Sequence, residues 1–250
     1  MKLRLPGLLL AVIVLVGGCS AGQPKAAAPP QTSPPPVSPV AASTPYPFGE
    51  VQQKAGPIVD GKVPLVRHIT VDRPYVFLTI DDGAIANPDA PQLIRESGAH
   101  PVLFLNERYV KGREAYFRQL LDAGATLGDH TIDHPNLRGK PLAFQQNEIC
   151  GDADELQRSL GVRPVLFRPP FGSYDTNTLL AAANCGMRVS VLWTASVNDG
   201  RVDFQKGNRL QAGDIVLMHF RKTFVEDYTA FVNQAKKDGL TPVPLPDFLG

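Results

Sequence analysis

Short apolar runs alternate with amphipathic segments from about residue 75 onward. Six runs rich in β-branched and aromatic side chains predict buried strands at residues 76–80, 101–105, 126–128, 165–167, 188–193 and 214–218. The segments between them carry apolar residues at helical spacing and predict helices at residues 90–97, 113–123, 142–160, 176–183 and 225–237. Strands that alternate with helices form a parallel sheet with crossover helices. We therefore expect an α/β fold, a distorted and reduced (β/α) barrel of about seven parallel strands.

The N-terminal segment does not follow this alternation. Residues 1–18 combine two basic side chains with an apolar run that is too short for a stable membrane span, as a signal peptide does. The two glycines before Cys19 resemble a bacterial lipobox, which predicts a lipid on Cys19 and anchoring to the outer face of the cell membrane. The alternative is a plain signal peptide that is cleaved nearby. Residues 19–49 are rich in Pro, Ala and Ser and predict an extended spacer, so we assign the folded domain to residues 50–250.

Two adjacent carboxylates follow the first predicted strand. Asp81 and Asp82 stand directly before Gly83, at the strand end where α/β folds place their chemistry. Neighbouring carboxylates repel each other, and a cation or a shared proton would relieve that repulsion. The alternative is a strand followed by an ordinary Asp-Gly turn.

Other strand ends carry residues suited to hydrolysis. His130 and His134 follow the third predicted strand, and a single turn would bring them to one side. With a carboxylate they would form a three-ligand metal site that leaves a position open for water. Arg168 follows the fourth strand, Asp199 follows the fifth, and His219 ends the sixth. The alternatives are polar loop histidines and a surface salt bridge of the arginine.

Taken together, four of these stretches resemble the polysaccharide deacetylases of carbohydrate esterase family 4, the NodB homology domain. They are Thr79-Ile80-Asp81-Asp82-Gly83, His130-Thr131-Ile132-Asp133-His134-Pro135, Arg168-Pro169-Pro170-Phe171-Gly172 and the segment 210–219. The resemblance extends from Tyr75 to the C-terminus and implies a NodB-like barrel.

The resemblance also implies roles for single residues. Asp82, His130 and His134 would hold one divalent metal ion, usually zinc and sometimes cobalt or another ion. Asp81 would act as the general base, and His219 would act as the acid that protonates the leaving group.

Four further assignments follow from the same resemblance. Arg168 would position Asp81, and Asp199 would pair with Arg168. The backbone N–H of Phe171 and the side chain of Leu217 would bind the substrate.

Charge and composition narrow the function. The formal net charge is +1 and no Lys/Arg cluster is present, which argues against a nucleic-acid partner. We expect a monomer that removes N-acetyl groups from cell-wall peptidoglycan or a chitin-like polymer. Two alternatives stay open: an O-acetyl esterase on xylan or a modified wall polymer, and a catalytically silent wall-binding protein. Cys150 and Cys185 could form a disulfide or remain free thiols.

Overall fold

The computed structural model describes residues 56–249. The predicted signal peptide, the lipidated Cys19 and the spacer lie outside these residues and stay predictions. Within residues 56–249 we find no helix that is long and apolar enough to cross a membrane.

One twisted sheet organises the described part of the chain. Its strands are β1 (Leu65–Val66), β2 (Tyr75–Asp82), β3 (Val102–Leu105), β4 (Thr126–Asp129), β5 (Leu166–Phe167), β6 (Val189–Val191), β7 (Ala195–Asn198), β8 (Arg201–Phe204), β9 (Ile215–His219) and β10 (Thr241–Pro242). Their order is β1-β6-β5-β4-β3-β2-β9-β7-β8, and β10 pairs with β2. Every pairing among them is parallel except the β7–β8 hairpin. The predicted α/β fold of parallel strands is confirmed. The prediction missed β1 and β10, which have two residues each, and the hairpin strands β7 and β8, in which apolar and polar residues alternate. Of the hairpin strands, β8 forms the sheet edge.

Helices connect the parallel strands. They are α1 (Ala90–Ser97), α2 (Glu107–Val110), α3 (Glu114–Asp122), α4 (Leu142–Leu160), α5 (Thr176–Asn184) and α6 (Phe224–Lys237), with single 3₁₀ turns at Pro170–Gly172 and Leu245–Phe248. The five predicted helices agree with these bounds to within a residue. The sequence pattern missed α2 because one turn is too short to show helical periodicity.

Strand β2 lies in the middle of the core. Val76, Leu78 and Ile80 pack into one hydrophobic cluster, while Tyr75 and Phe77 pack into another on the opposite face. Because both faces are covered, the strand reads as a continuous apolar run rather than an alternating one. Its two carboxylates stand where the strand leaves this core.

A disulfide joins two helices on one side of the sheet. Cys150 in α4 and Cys185 at the end of α5 are bonded, with their Cα atoms 4.8 Å apart. Of the two alternatives that the sequence left open for these cysteines, the structure therefore has the disulfide.

Candidate metal centre and active site

The site begins at the end of β2. Asp81 pairs in register with His219 of β9, so these two side chains start from neighbouring positions on the same rim. Asp82 has a φ of 77°, and Gly83 has a φ of 87°. A Cβ atom on Gly83 would lie 2.9 Å from the ring of Phe117, so only glycine fits this turn. The chain therefore bends sharply after the two carboxylates, at the rim where His219 also stands.

Three predicted metal ligands converge at this rim. The Nε2 atoms of His130 and His134 each lie 3.6 Å from Oδ1 of Asp82. All the ligand atoms of these three residues lie within 4.8 Å of one another. Two ligands bound tetrahedrally to zinc at about 2.1 Å are about 3.4 Å apart, close to the spacing between Asp82 and each histidine. The residues therefore fit a divalent ion, and three ligands leave a coordination position for water.

The hydrogen bonding and the burial of His130 suit it to bind a metal ion. Its Nδ1 lies 2.7 Å from the carbonyl oxygen of Arg168. A carbonyl can only accept, so Nδ1 carries the proton and Nε2 presents a lone pair to the carboxylates. Burial lowers the pKa of His130 to about 3, which keeps the ring neutral at neutral pH. Burial also raises the pKa of Asp82, and the neighbouring charge of Asp81 adds to that rise, so a bound cation would relieve both effects.

The loop between the two histidines is held in an unusual conformation. Thr131 and His134 have φ values of 73° and 58°, a region that costs energy for residues other than glycine. The N–H of His134 donates to the hydroxyl of Thr131 at 3.0 Å. The buried side chain of Asn106 donates to the carbonyl oxygens of both His130 and Thr131. These bonds fix the two imidazoles relative to each other.

Two buried carboxyl groups, those of Asp152 and Asp129, accept hydrogen bonds from the backbone of this loop. Asp152 in α4 accepts from the backbone N–H of His130 at 3.2 Å and from that of Glu107 at 2.7 Å. Asp129 accepts from the N–H of Thr131 at 3.1 Å. Burial raises the pKa values of Asp129 and Asp152 well above the ordinary aspartate value. Sequence analysis missed both residues, although a carboxylate beside the apolar positions of α4 was a signal for a buried polar role.

Arg168 is fully buried and holds Asp81 in place. Its Nη1 donates to Oδ1 of Asp81 at 2.7 Å and to the hydroxyl of Thr79 at 2.8 Å. Its remaining donors reach the carbonyl oxygens of Val191 at 3.1 Å and Leu192 at 3.4 Å. Oδ2 of Asp81 is left facing the metal ligands. The structure thus brings Arg168 and Asp81 together, as the sequence predicts.

The predicted pairing of Asp199 with Arg168 is wrong. Asp199 lies in the turn between β7 and β8, exposed to solvent and with a φ of 50°. Arg168 has no exposed surface, and the carbonyl oxygens of Val191 and Leu192 accept the hydrogen bonds that a second carboxylate would have accepted. The hairpin carries Asp199 away from the core.

The remaining predicted site residues line the same rim. His219 is largely buried, which lowers its pKa, and its Nδ1 has no hydrogen-bond partner among residues 56–249. Leu217 stands two residues earlier on β9, on the same face, and is 5% exposed. The ring of Phe171 is 68% exposed and stands edge-on to His134, with 4.5 Å between ring centroids. The arrangement combines a carboxylate, an imidazole and a metal-ligand set around one small space, as hydrolysis at a carbonyl carbon requires.

Comparisons with known proteins find chains of similar sequence. The family model described as "Polysaccharide deacetylase" matches residues 68–190. The uncharacterized protein SCO4760 of Streptomyces coelicolor is 46% identical over 155 residues, which are 61% of this chain and 62% of that protein. The bifunctional xylanase/xylan deacetylase of Cellvibrio japonicus is 28% identical over 152 residues, 58% of this chain and 23% of that protein. The chain thus spans less than two thirds of either relative.

A third relative has a known structure. The peptidoglycan-N-acetylmuramic acid deacetylase PdaA of Bacillus subtilis is 24% identical over 188 residues, which are 70% of this chain and 71% of that protein. The structure of PdaA, a family 4 carbohydrate esterase, superposes with a TM-score of 0.62 at 20% identity and covers 77% of this chain and 94% of that one. At this identity the superposition shows a shared fold.

Proposed function

We propose that this protein is a metal-dependent hydrolase that removes acetyl groups from a glycan, because residues 68–190 match the family model described as "Polysaccharide deacetylase". The observation that carries the proposal is the convergence of Asp82, His130 and His134 within 4.8 Å, next to Asp81 and His219. Arg168 compensates the charge of Asp81, whereas Asp82 has only the two histidines as ion-pair partners among residues 56–249, so a bound cation gives the second carboxylate its reason.

In the proposed reaction the metal ligands and Asp81 act on the attacking water, and His219 acts on the leaving group. A divalent cation held by the three ligands would polarise the acetyl carbonyl and make water more acidic. Asp81 takes the proton of the attacking water through Oδ2, because Arg168 occupies Oδ1 at 2.7 Å. His219 gives a proton to the nitrogen as the carbon–nitrogen bond breaks, and acetate and the free amino sugar are released. An amine leaves poorly without that proton, so the acid is required. Leu217 packs against the acetyl methyl group, and the backbone N–H of Phe171 donates to the oxyanion that forms on the acetyl carbonyl. The exposed ring of Phe171 covers the sugar.

We infer an N-acetylated glycan as substrate, with cell-wall peptidoglycan ahead of a chitin-like polymer. PdaA is named for peptidoglycan, which supports this choice. The name of the Cellvibrio japonicus relative supports a second candidate, O-deacetylation of xylan. An alkoxide leaves more readily than an amine, so His219→Ala should spare much of an esterase activity and abolish an amidase activity.

Acetate release from the full-length protein tests the proposal. The substrates are N-acetylglucosamine oligomers, peptidoglycan and acetylated xylan, each with and without a chelator. We expect one equivalent of divalent metal, activity that chelation abolishes, and loss of both metal and activity in His130→Ala and His134→Ala. His68→Ala, which removes an exposed histidine far from the site in sequence, is the matched control. Glycan binding without turnover after metal loading would instead favour a silent wall-binding protein, and a lack of metal would overturn the proposal.

We further propose export and anchoring through a lipid on Cys19. The disulfide between Cys150 and Cys185 supports export, because such bonds persist in oxidising compartments. Cys19→Ala should move the protein from the membrane fraction to the soluble fraction. An unchanged membrane fraction would refute the lipid anchor.

A further inference from the structure

Arg221 follows His219 by two residues, just beyond the end of β9. The N–H of Phe220 donates to the carbonyl oxygen of Asp81 at 3.2 Å and completes the pairing of Asp81 with His219. The carbonyl oxygen of Phe220 accepts from Ile85 at 3.3 Å. Leu217 and His219 share one face of β9, and the exposed Arg221 follows His219 by two residues, where the chain bends toward α6. Arg221 therefore lies at the mouth of the proposed site.

The guanidinium of Arg221 is oriented but not neutralised. Its Nη1 donates to Oδ1 of Asn198 at 2.7 Å. Asn198 in turn donates to the hydroxyl of Ser196 at 3.3 Å and to a carboxylate oxygen of Asp203 at 3.5 Å. Within residues 56–249 the Arg221 side chain has no carboxylate within salt-bridge distance and makes no other hydrogen bond, and the residue is exposed. Four of its five N–H donors are therefore available to a ligand.

The positive charge of Arg221 influences the pKa values of two side chains in the site. Burial raises the pKa of Asp82 and lowers the pKa of His219, and the positive charge of Arg221 lowers both. Arg221 therefore stands within electrostatic range of both side chains.

The two flanks of the rim differ in chemistry. The strand order β5-β4-β3-β2-β9-β7 places Phe171, which follows β5, on one side of the metal ligands. Arg221, which follows β9, and Asn198, which ends β7, stand on the other side. A glycan that crosses the rim would meet an exposed aromatic ring on one flank and an unneutralised guanidinium on the other.

We propose that Arg221 binds a carboxylate on the glycan, so that the preferred substrate is an acidic N-acetylated amino sugar such as N-acetylmuramic acid with a free lactyl group. The inference rests on the proposed function and names the substrate of that same site. A guanidinium pairs with a carboxylate through two parallel hydrogen bonds, which a neutral sugar hydroxyl cannot match.

The test compares an acidic substrate with its neutral counterpart. We would measure kcat and KM of the full-length, metal-loaded protein on peptide-free peptidoglycan strands and on the same strands with their carboxylates methyl-esterified. Arg221→Gln should lower the ratio of kcat/KM values, acidic over neutral, by about tenfold, mostly through KM, as expected for one lost charged hydrogen-bond pair. Arg221→Lys should restore part of the ratio, because a lysine keeps the charge without the fork.

A neighbouring exposed cation provides the matched control. Lys222→Gln makes the same change of charge one residue away and should leave the ratio unchanged. Equilibrium binding of the two kinds of strand to Arg221→Gln, in chelator, should show the same loss of discrimination without any turnover.

Two results would overturn the inference. One is an equal loss on acidic and esterified strands in Arg221→Gln, which would mean that Arg221 acts only on the reacting groups. The other is the same drop in the ratio for Lys222→Gln, which would indicate general electrostatics. Failure of the wild type to turn over any glycan would instead refute the proposed function itself.

Discussion

Replacing His130 with Asn should weaken the dependence of the free energy of unfolding on pH. Burial lowers the pKa of His130 to about 3, against 6.5 for an unperturbed histidine. Between these two values the unfolded chain binds a proton that the folded chain does not, so acidification favours unfolding. The contribution of His130 is fully present above pH 6.5 and is lost progressively as the pH falls toward 3.

The size of this effect follows from the shift. A pH of 4.5 is two units below the pKa of an unfolded histidine, which is therefore protonated, while the folded His130 is still neutral. Each unit is worth about 1.4 kcal/mol, so lowering the pH from 7 to 4.5 should cost the wild type about 2.5 kcal/mol through His130. Asp82, Asp129 and Asp152 act in the opposite sense, since burial raises their pKa values and acidification removes their buried charge.

The assay is therefore a difference between two proteins. Urea unfolding in the presence of a chelator, at pH 7 and pH 4.5, would be measured for the wild type and for His130→Asn. We expect the wild type to lose about 2.5 kcal/mol more than the variant over this interval. His68→Asn, which removes an exposed histidine, controls for the loss of any imidazole. Equal pH dependence in the wild type and His130→Asn would refute the reasoning that a buried, neutral His130 faces the carboxylates.

Two further predictions concern the surroundings of the site. Arg168→Lys should retain the bound metal but lower kcat about 100-fold, because one ammonium group cannot replace the guanidinium fork that joins Asp81 to the neighbouring strands. Metal content and acetate release would be measured together. A kcat within threefold of the wild type would contradict a positioning role. Replacing Cys150 and Cys185 with Ser should lower the free energy of unfolding by about 3–4 kcal/mol, as the chain-entropy estimate gives for a cross-link over this separation. Denaturant unfolding with and without reductant checks this value, and reductant should not affect the double variant; wild-type stability that is insensitive to full reduction would disprove the estimate.

Several features of the site can be predicted from local sequence. The apolar run before Asp81 predicts a buried strand, and the carboxyl ends of parallel strands meet at one edge of a sheet. This rule alone brings Asp82, His130 and His134 to a common rim, because each follows a recognisable strand. The spacing of the two histidines adds that both can reach one ion. The alternation of strands and helices therefore predicted the α/β fold, whereas the resemblance to the polysaccharide deacetylases selected Asp82, His130 and His134 as the ligands.

Contacts between distant elements were decided by the tertiary structure. A hairpin turn carries Asp199 into solvent, and the backbone of the following strand segment supplies Arg168 with carbonyl acceptors instead. Asp152 reaches the backbone of His130 from a helix 22 residues along the chain. Arg221 meets Asn198 only because β9 and β7 are neighbours in the sheet. The physical reason is that hydrophobic periodicity specifies which face a residue occupies, whereas register, turn geometry and packing select the partner that it meets there.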